Sequence, residues 1–81
     1  RSEAKAVAYS NELMRLSPLD GYLSKGYIEE YFGRNKKAER NYLKAFELTH
    51  SKLAFQKLYS LYLYKMKNSD KAQELKEQFE K

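Results

Sequence analysis

Helix-boundary signals recur at short, regular intervals in this 81-residue chain, and their spacing constrains the fold more than any other feature. Breaks fall at Ser17–Pro18, Gly33, His50 and Asn68, 16 to 18 residues apart. Ser and Asn cap free backbone N–H groups, Pro suits the first helical position, and Gly adopts the left-handed conformation that ends helices. The spacing predicts five helices of about four turns each, with at least roughly two thirds of the chain helical.

The same signals predict where each helix begins and which side of it is apolar. The first helix is expected to follow Ser2, and the predicted N-caps of the next four are Ser17, Asn35, Ser51 and Ser69, while Gly33 is predicted to end the second helix. Apolar residues at helical spacing predict the apolar side of each helix. These are Ala4, Ala8, Leu13 and Leu16; Tyr22, Leu23, Tyr27, Ile28 and Tyr31; Ala38, Tyr42, Ala45, Phe46 and Leu48; Leu53, Leu58, Leu61, Tyr62 and Met66; and Ala72, Leu75 and Phe79.

Positive charge dominates the chain but is mixed with acidic residues. Sixteen Lys and Arg against eleven Asp and Glu give a formal charge of +5. The densest cluster is Arg34, Lys36 and Lys37, with Arg40 one turn later, and the last third is also basic. Because Glu29, Glu30, Glu39, Glu47 and Glu74 interrupt the basic residues, this pattern favours a solvated mixed surface over a nucleic-acid or membrane patch.

Residues that carry chemistry are scarce, so we expect no enzyme and no cofactor or metal. The chain has no Cys and a single His, His50, which falls in a predicted turn. Glu29 and Glu30 are adjacent in a predicted helix, so their side chains point about 100° apart and do not converge on one ligand. The three Gly residues match no phosphate-binding spacing, and no apolar run is long enough to span a membrane.

An internal repeat underlies the regular breaks. A shift of 34 residues places Gly26 on Ser60 and Ala38 on Ala72, pairing small residues that allow helices to approach closely. A shift of 32 residues brings the first helix onto the third, with Ala6, Leu13, Met14 and Leu16 falling on Ala38, Ala45, Phe46 and Leu48. The chain therefore reads as half a unit followed by two whole units.

The middle unit resembles the tetratricopeptide repeat family, which repeats a helix pair about every 34 residues. Tyr22 takes the family's large position, Gly26 its glycine, and Ala38 and Tyr42 its Ala and aromatic, whereas Lys25, Glu29 and His50 depart from the pattern. The resemblance implies one all-α domain over residues 1–81, a right-handed stack of antiparallel helix hairpins. Residues 1–17 would be a half repeat or capping helix, and 18–50 and 51–81 full repeats.

The resemblance also implies a function, since arrays of this family bind peptides in a groove lined by the first helix of each pair. Carried over by position, the groove residues are Leu23, Tyr27, Glu30, Tyr31, Lys57, Leu61, Tyr64 and Lys65, with Ser24 and Leu58 on the same faces. The chain would then be a non-catalytic protein–protein interaction module. The two lysines favour an acidic partner, and no membrane partner is expected.

Two alternative functions remain open from the sequence. One is nucleic-acid binding through Arg34, Lys36, Lys37 and Arg40 together with the basic last third. The other is a passive scaffold segment of a larger repeat protein. The chain starts at Arg1 rather than Met, so we expect it to be part of a longer protein.

Overall fold

Five helices follow one another with short connections in the computed structural model of the protein, which describes residues 3–81. The helices are α1 (Glu3–Leu16), α2 (Pro18–Tyr31), α3 (Asn35–Thr49), α4 (Lys52–Ser60), which continues as a π-helical segment (Leu61–Lys65), and α5 (Ser69–Glu80). Of the described part, 87% is helical and none is strand. The expected all-α class and the four turns are confirmed; Ser2 lies outside the described residues.

The turns form where the sequence signals lie, although two of the caps are one residue earlier than predicted. The Oγ atoms of Ser17 and Ser51 accept from the third backbone N–H that follows each of them. Asn68, not Ser69, caps α5 by accepting from Lys71 N at 3.1 Å. Asn35 is the first residue of α3 rather than its cap.

Gly33 ends α2 in the way its sequence position predicts. Its φ of 79° is left-handed, its N–H donates to the Glu30 carbonyl, and the Arg34 N–H donates to the Glu29 carbonyl at 2.8 Å. These two bonds form a Schellman motif. Arg34 closes that motif and is also the N-cap residue of α3, without a side-chain cap bond.

Each helix packs against the next one along the chain, and one apolar core runs through α2 to α5. Its most buried members are Ala38, Tyr42, Ala45, Ala54, Leu58 and Leu61, all fully inaccessible to solvent. The predicted faces of α3 and α4 are confirmed except for their outermost leucines. Leu48 is 61% exposed and Leu53 49% exposed, because they flank the α3–α4 turn rather than lie between helices.

The predicted apolar side of α1 is mostly wrong. Ala4, Ala8 and Leu16 are exposed, whereas Ser10 is fully buried and hydrogen-bonds through Oγ to Ser24 Oγ on α2. The approach of the two helices explains this arrangement. A Cβ added at Gly21 would lie 2.4 Å from Met14 Cα, so small and polar side chains occupy a contact too close for large apolar ones.

Gly26 has the packing role that the repeat predicts, but Ser60 does not. A Cβ at Gly26 would lie 2.4 Å from Cε1 of Tyr42, while Ser60 is exposed. Ala38 and Ala72 are both buried, as predicted. The 34-residue register therefore aligns the second helices of the two units but not their first helices.

The sequence contains no signal that predicts the π-helical segment. Met66 N donates to the Leu61 carbonyl five residues back, which adds one residue to the turn. The chain then leaves the helix through Lys67, whose φ is 54°.

Candidate partner-binding surface

Four of the predicted groove residues lie where side chains of α2 reach α4 and its π-helical extension, and two cross-helix contacts join them. Lys57 Nζ lies 5.7 Å from the centre of the Tyr27 ring. Lys65 Nζ lies 3.7 Å from Glu30 Oε2. The structure therefore brings together four of the eight predicted residues, from two successive helix pairs, on one surface that we call the α2–α4 face.

Glu30 connects this face to the core. Its Oε1 accepts a hydrogen bond of 2.8 Å from the hydroxyl of Tyr42, whose ring is fully buried. Burial, together with the hydrogen bond and the charge of Glu30, raises the pKa of the Tyr42 hydroxyl far above its ordinary value. The hydrogen bond from Tyr42 holds the Glu30 carboxylate in place. Glu30 is therefore a fixed partner for Lys65, but it lies too far from the ammonium for a tight ion pair.

Three tyrosines of the predicted groove set are largely exposed to solvent. Tyr27 is 57% exposed, Tyr31 69% and Tyr64 68%. In contrast, Tyr42 and Tyr62 are buried and Tyr22 packs against the core, as predicted for tyrosines that fill space between helices. Tyr side chains offer a large contact area at a low cost in side-chain entropy, so exposed ones are suited to recognition.

Leu23 and Leu61 were predicted to contact a partner, but both are buried in the structure. Leu23 is 9% exposed, and Leu61 and its neighbour Leu58 are fully buried in the core. Residue spacing along a helix does not distinguish buried from exposed positions here, because α2 and α4 each have helices packed on more than one side. These leucines form the floor beneath the face and do not reach its surface.

The basic α2–α3 turn is more internally paired than the sequence suggests. The guanidinium of Arg34 donates to Glu29 and also to Glu3 on α1, and it lies 5.2 Å from the centre of the Phe32 ring. Its bonds to Glu29 and Glu3 raise the pKa of Arg34 further. Arg34 therefore fixes the turn against α1 and is not free to bind a partner. Tyr31 packs edge-on against Phe32 at 5.1 Å.

A second tyrosine–glutamate–lysine group joins α3 to the π-helical segment and α5. Glu39 Oε2 accepts from the Tyr62 hydroxyl at 2.8 Å and from Lys71 Nζ at 3.0 Å. Burial opposes the charge of Glu39, but the bonds from Lys71 and Tyr62 outweigh it, and the pKa of Glu39 falls below its ordinary value. Burial and the bond to Glu39 raise the pKa of Tyr62.

A cleft on the other side of the helices was not predicted. It lies between α3 and α5, has a volume of about 210 Å³, and is lined by Leu43, Glu47, Tyr62, Lys71, Glu74, Leu75 and Gln78. The sequence did not predict this cleft, because most of the residues that α3 and α5 contribute to it follow the pattern of an ordinary charged helix surface.

His50 lies at the end of the molecule away from the α2–α3 turn. It is the left-handed C-cap of α3, as its turn position predicts, and its ring stacks on Phe79 at 5.5 Å between centres. No acidic side chain hydrogen-bonds to it within the described residues. In the same part of the chain, no group of three or more His, Asp or Glu side chains is arranged to hold a metal ion, and no helix is long and apolar enough to cross a membrane.

Comparison of the chain with protein-family models, with curated proteins and with solved structures finds no match. The residues and their geometry are therefore the grounds for a functional conclusion.

Proposed function

We propose that this chain is a non-catalytic protein–protein interaction module that binds a peptide or protein segment on its α2–α4 face. In this proposal the helices form a tetratricopeptide-like, right-handed stack of hairpins. Tyr27, Tyr31 and Tyr64 supply contact area, and Lys57 and Lys65 supply the cationic groups that select an acidic segment.

The observation that carries the proposal is the position of Lys57 over the Tyr27 ring. This contact, 5.7 Å long, holds an exposed ammonium group on an exposed aromatic surface. Within the described residues, no carboxylate lies within 4 Å of that ammonium. An aromatic anchor beside an unpaired cation offers a partner both apolar contact and a charge-assisted hydrogen bond.

Glu30 and Lys65 extend the same surface. At 3.7 Å their contact is longer than a hydrogen bond, and the Lys65 side chain stays 52% exposed. The ammonium of Lys65 can therefore donate to a carboxylate of a partner while Glu30 remains bonded to Tyr42. The ammonium of Lys65 would thus attract an acidic segment and repel a basic one.

Selection from a displayed library of random linear peptides, followed by fluorescence anisotropy with the selected peptides, tests the proposal. We expect selected peptides to contain Asp or Glu, and Tyr27→Ala to weaken their binding by about 1–2 kcal/mol, roughly 5- to 30-fold, as for an anchor aromatic. Tyr9→Ala is the matched control, because Tyr9 is 65% exposed but lies on α1.

Two results would contradict the proposal. If no peptide is selected above background while circular dichroism shows a folded helical protein, the passive scaffold alternative is favoured. If Tyr9→Ala weakens binding as much as Tyr27→Ala, the binding surface lies elsewhere.

A further inference from the structure

The alternation of helix direction gathers charges that are far apart in sequence at one end of the molecule. Contacts fix which segments meet there. Arg34 joins the α2–α3 turn to the start of α1, Lys65 joins the π-helical segment to the end of α2, and Lys71 joins the start of α5 to the start of α3. At the opposite end, Phe79 of α5 stacks on Phe55 of α4 and on His50.

The two ends differ strongly in charge. The end formed by residues 3–9, 28–40 and 61–73, which we call the basic end, carries eight basic and five acidic side chains. The other end, formed by residues 10–21, 43–56 and 74–81, carries five basic and six acidic ones. The positive charge of the molecule is thus concentrated at one end, although the sequence shows it spread over the last two thirds.

The acidic residues at the basic end, except the exposed Asp70, bind neighbouring side chains, so they interrupt the positive charge less than the sequence suggests. Glu29 accepts from Arg34, Glu30 from Tyr42, and Glu39 from Tyr62 and Lys71. The basic residues without such a role are exposed. These are Lys36, Lys37, Arg40 and Lys67, and none has a carboxylate within 4 Å among the residues that the structure describes.

Two exposed tyrosines belong to the same segments as these four cations. Tyr31 and Tyr64, 69% and 68% exposed, lie on the last turn of α2 and on the π-helical segment. Unpaired cations beside exposed aromatic rings are the combination that holds unpaired nucleotides, since phosphates bind the cations and bases stack on the rings.

We propose that the basic end is a second binding surface and that its ligand is a single-stranded nucleic acid. The backbone phosphates contact Lys36, Lys37, Arg40 and Lys67, and an unpaired base stacks on Tyr31. This surface shares Tyr31 with the proposed peptide-binding face but does not include the contact between Lys57 and Tyr27, and its existence does not depend on peptide binding there.

The aromatic geometry favours a nucleic acid over an anionic membrane. Phe32 is the most apolar exposed ring at this end, but Arg34 lies over its face and Tyr31 against its edge, so it is not available for insertion into a bilayer. Tyr rings with a wet hydroxyl stack on bases without entering hydrocarbon. The small number of cations and the need for an exposed base favour single strands over a duplex.

Titration of fluorescein-labelled oligouridine RNA, a dodecamer, with the full chain at several salt concentrations tests this proposal. Four phosphate contacts predict a slope of log K against log salt of about −3, because each contact on a single strand contributes about −0.7. The triple variant Lys36→Ala, Lys37→Ala, Arg40→Ala should lower the magnitude of that slope by about 2. Tyr31→Ala should weaken binding at least about 5-fold at every salt concentration, with the slope unchanged.

The triple variant Lys44→Ala, Lys52→Ala, Lys76→Ala is the matched control, because it removes the same charge from the opposite end. It should retain the RNA affinity and the salt slope. Equal losses in the two triple variants would overturn the proposal, since they would show attraction by net charge alone. Binding to vesicles of phosphatidylserine and phosphatidylcholine in equal parts, without binding to RNA, would also overturn it. Selected peptides should bind the first triple variant as they bind the unmodified chain, so the two proposals fail independently.

Discussion

Gly26 of α2 lies directly against the ring of Tyr42 on α3. A Cβ at this glycine would be 2.4 Å from Cε1 and 2.5 Å from Cδ1 of that ring, closer than van der Waals contact permits. The hydroxyl of the same tyrosine is fixed by Glu30, four residues along α2. The ring therefore cannot move away without losing a hydrogen bond, and the α2–α3 distance depends on the absence of a side chain at residue 26.

We expect Gly26→Leu and Ala38→Leu to be among the most destabilising single substitutions. Each adds bulk at a position with no free space, and overpacking typically costs about 1–3 kcal/mol. Ser60→Leu is the matched control, because Ser60 occupies the equivalent position in the predicted repeat but is exposed. Urea unfolding monitored by circular dichroism measures all three. A similar loss in Ser60→Leu would show that the small residue at this repeat position, and not the Tyr42 contact, determines stability.

Helix number, turn positions and most of the core were predictable because they depend on local signals. Gly33 and Ser51 satisfy backbone groups within a few residues of themselves, so neighbouring sequence is sufficient to identify their roles. The close approach at Gly21 was not predictable in this way. It depends on which side of α1 meets α2, and that side contains Ser10 rather than a run of large apolar residues.

The candidate surface was predictable only in part, for a related reason. Tyr27 and Lys57 were identified from helical spacing, and the structure brings them together. Leu23 and Leu61 have the same spacing but are buried, because burial depends on helices packed from other parts of the chain. The inward turn of Glu39 was also unpredictable, since its partners Tyr62 and Lys71 lie 23 and 32 residues away.

Phe46→Ala should destabilise the protein far more than Leu48→Ala, although both residues were predicted to fill the space between repeats. Phe46 is 4% exposed and contacts His50 and Phe79, while Leu48 is 61% exposed. Truncation of a buried Phe costs about 3–5 kcal/mol, and a substitution at an exposed position changes stability by about 0.5 kcal/mol or less. Thermal unfolding of the two variants makes the comparison. Equal effects would contradict the packing described for the end of α3.

Glu39→Gln should reduce stability at neutral pH and remove part of the acid sensitivity. The lowered pKa of Glu39 means that its carboxylate stabilises the fold above the unfolded value of 4.5, and this contribution is lost as the pH falls through the folded value. We expect a loss of about 1–2 kcal/mol at pH 7 from the weaker bonds to Lys71 and Tyr62. Urea unfolding between pH 7 and pH 3 measures it, with Glu77→Gln as the exposed control. An unchanged pH profile in Glu39→Gln would contradict the assignment.

The protein should lose stability as the pH rises above about 10, and Tyr42 and Tyr62 should account for most of that loss. Both hydroxyls have a raised pKa in the fold, so they stay protonated there while the unfolded chain ionises near 10. Stability from these groups is therefore complete below pH 10 and declines above it. Tyr42→Phe and Tyr62→Phe should each flatten the decline between pH 9 and pH 11, measured by urea unfolding, even though each variant is less stable at pH 8. Tyr9→Phe, at an exposed position, should leave the decline in stability unchanged. If Tyr9→Phe also flattens the decline, ionisation of exposed tyrosines causes it instead.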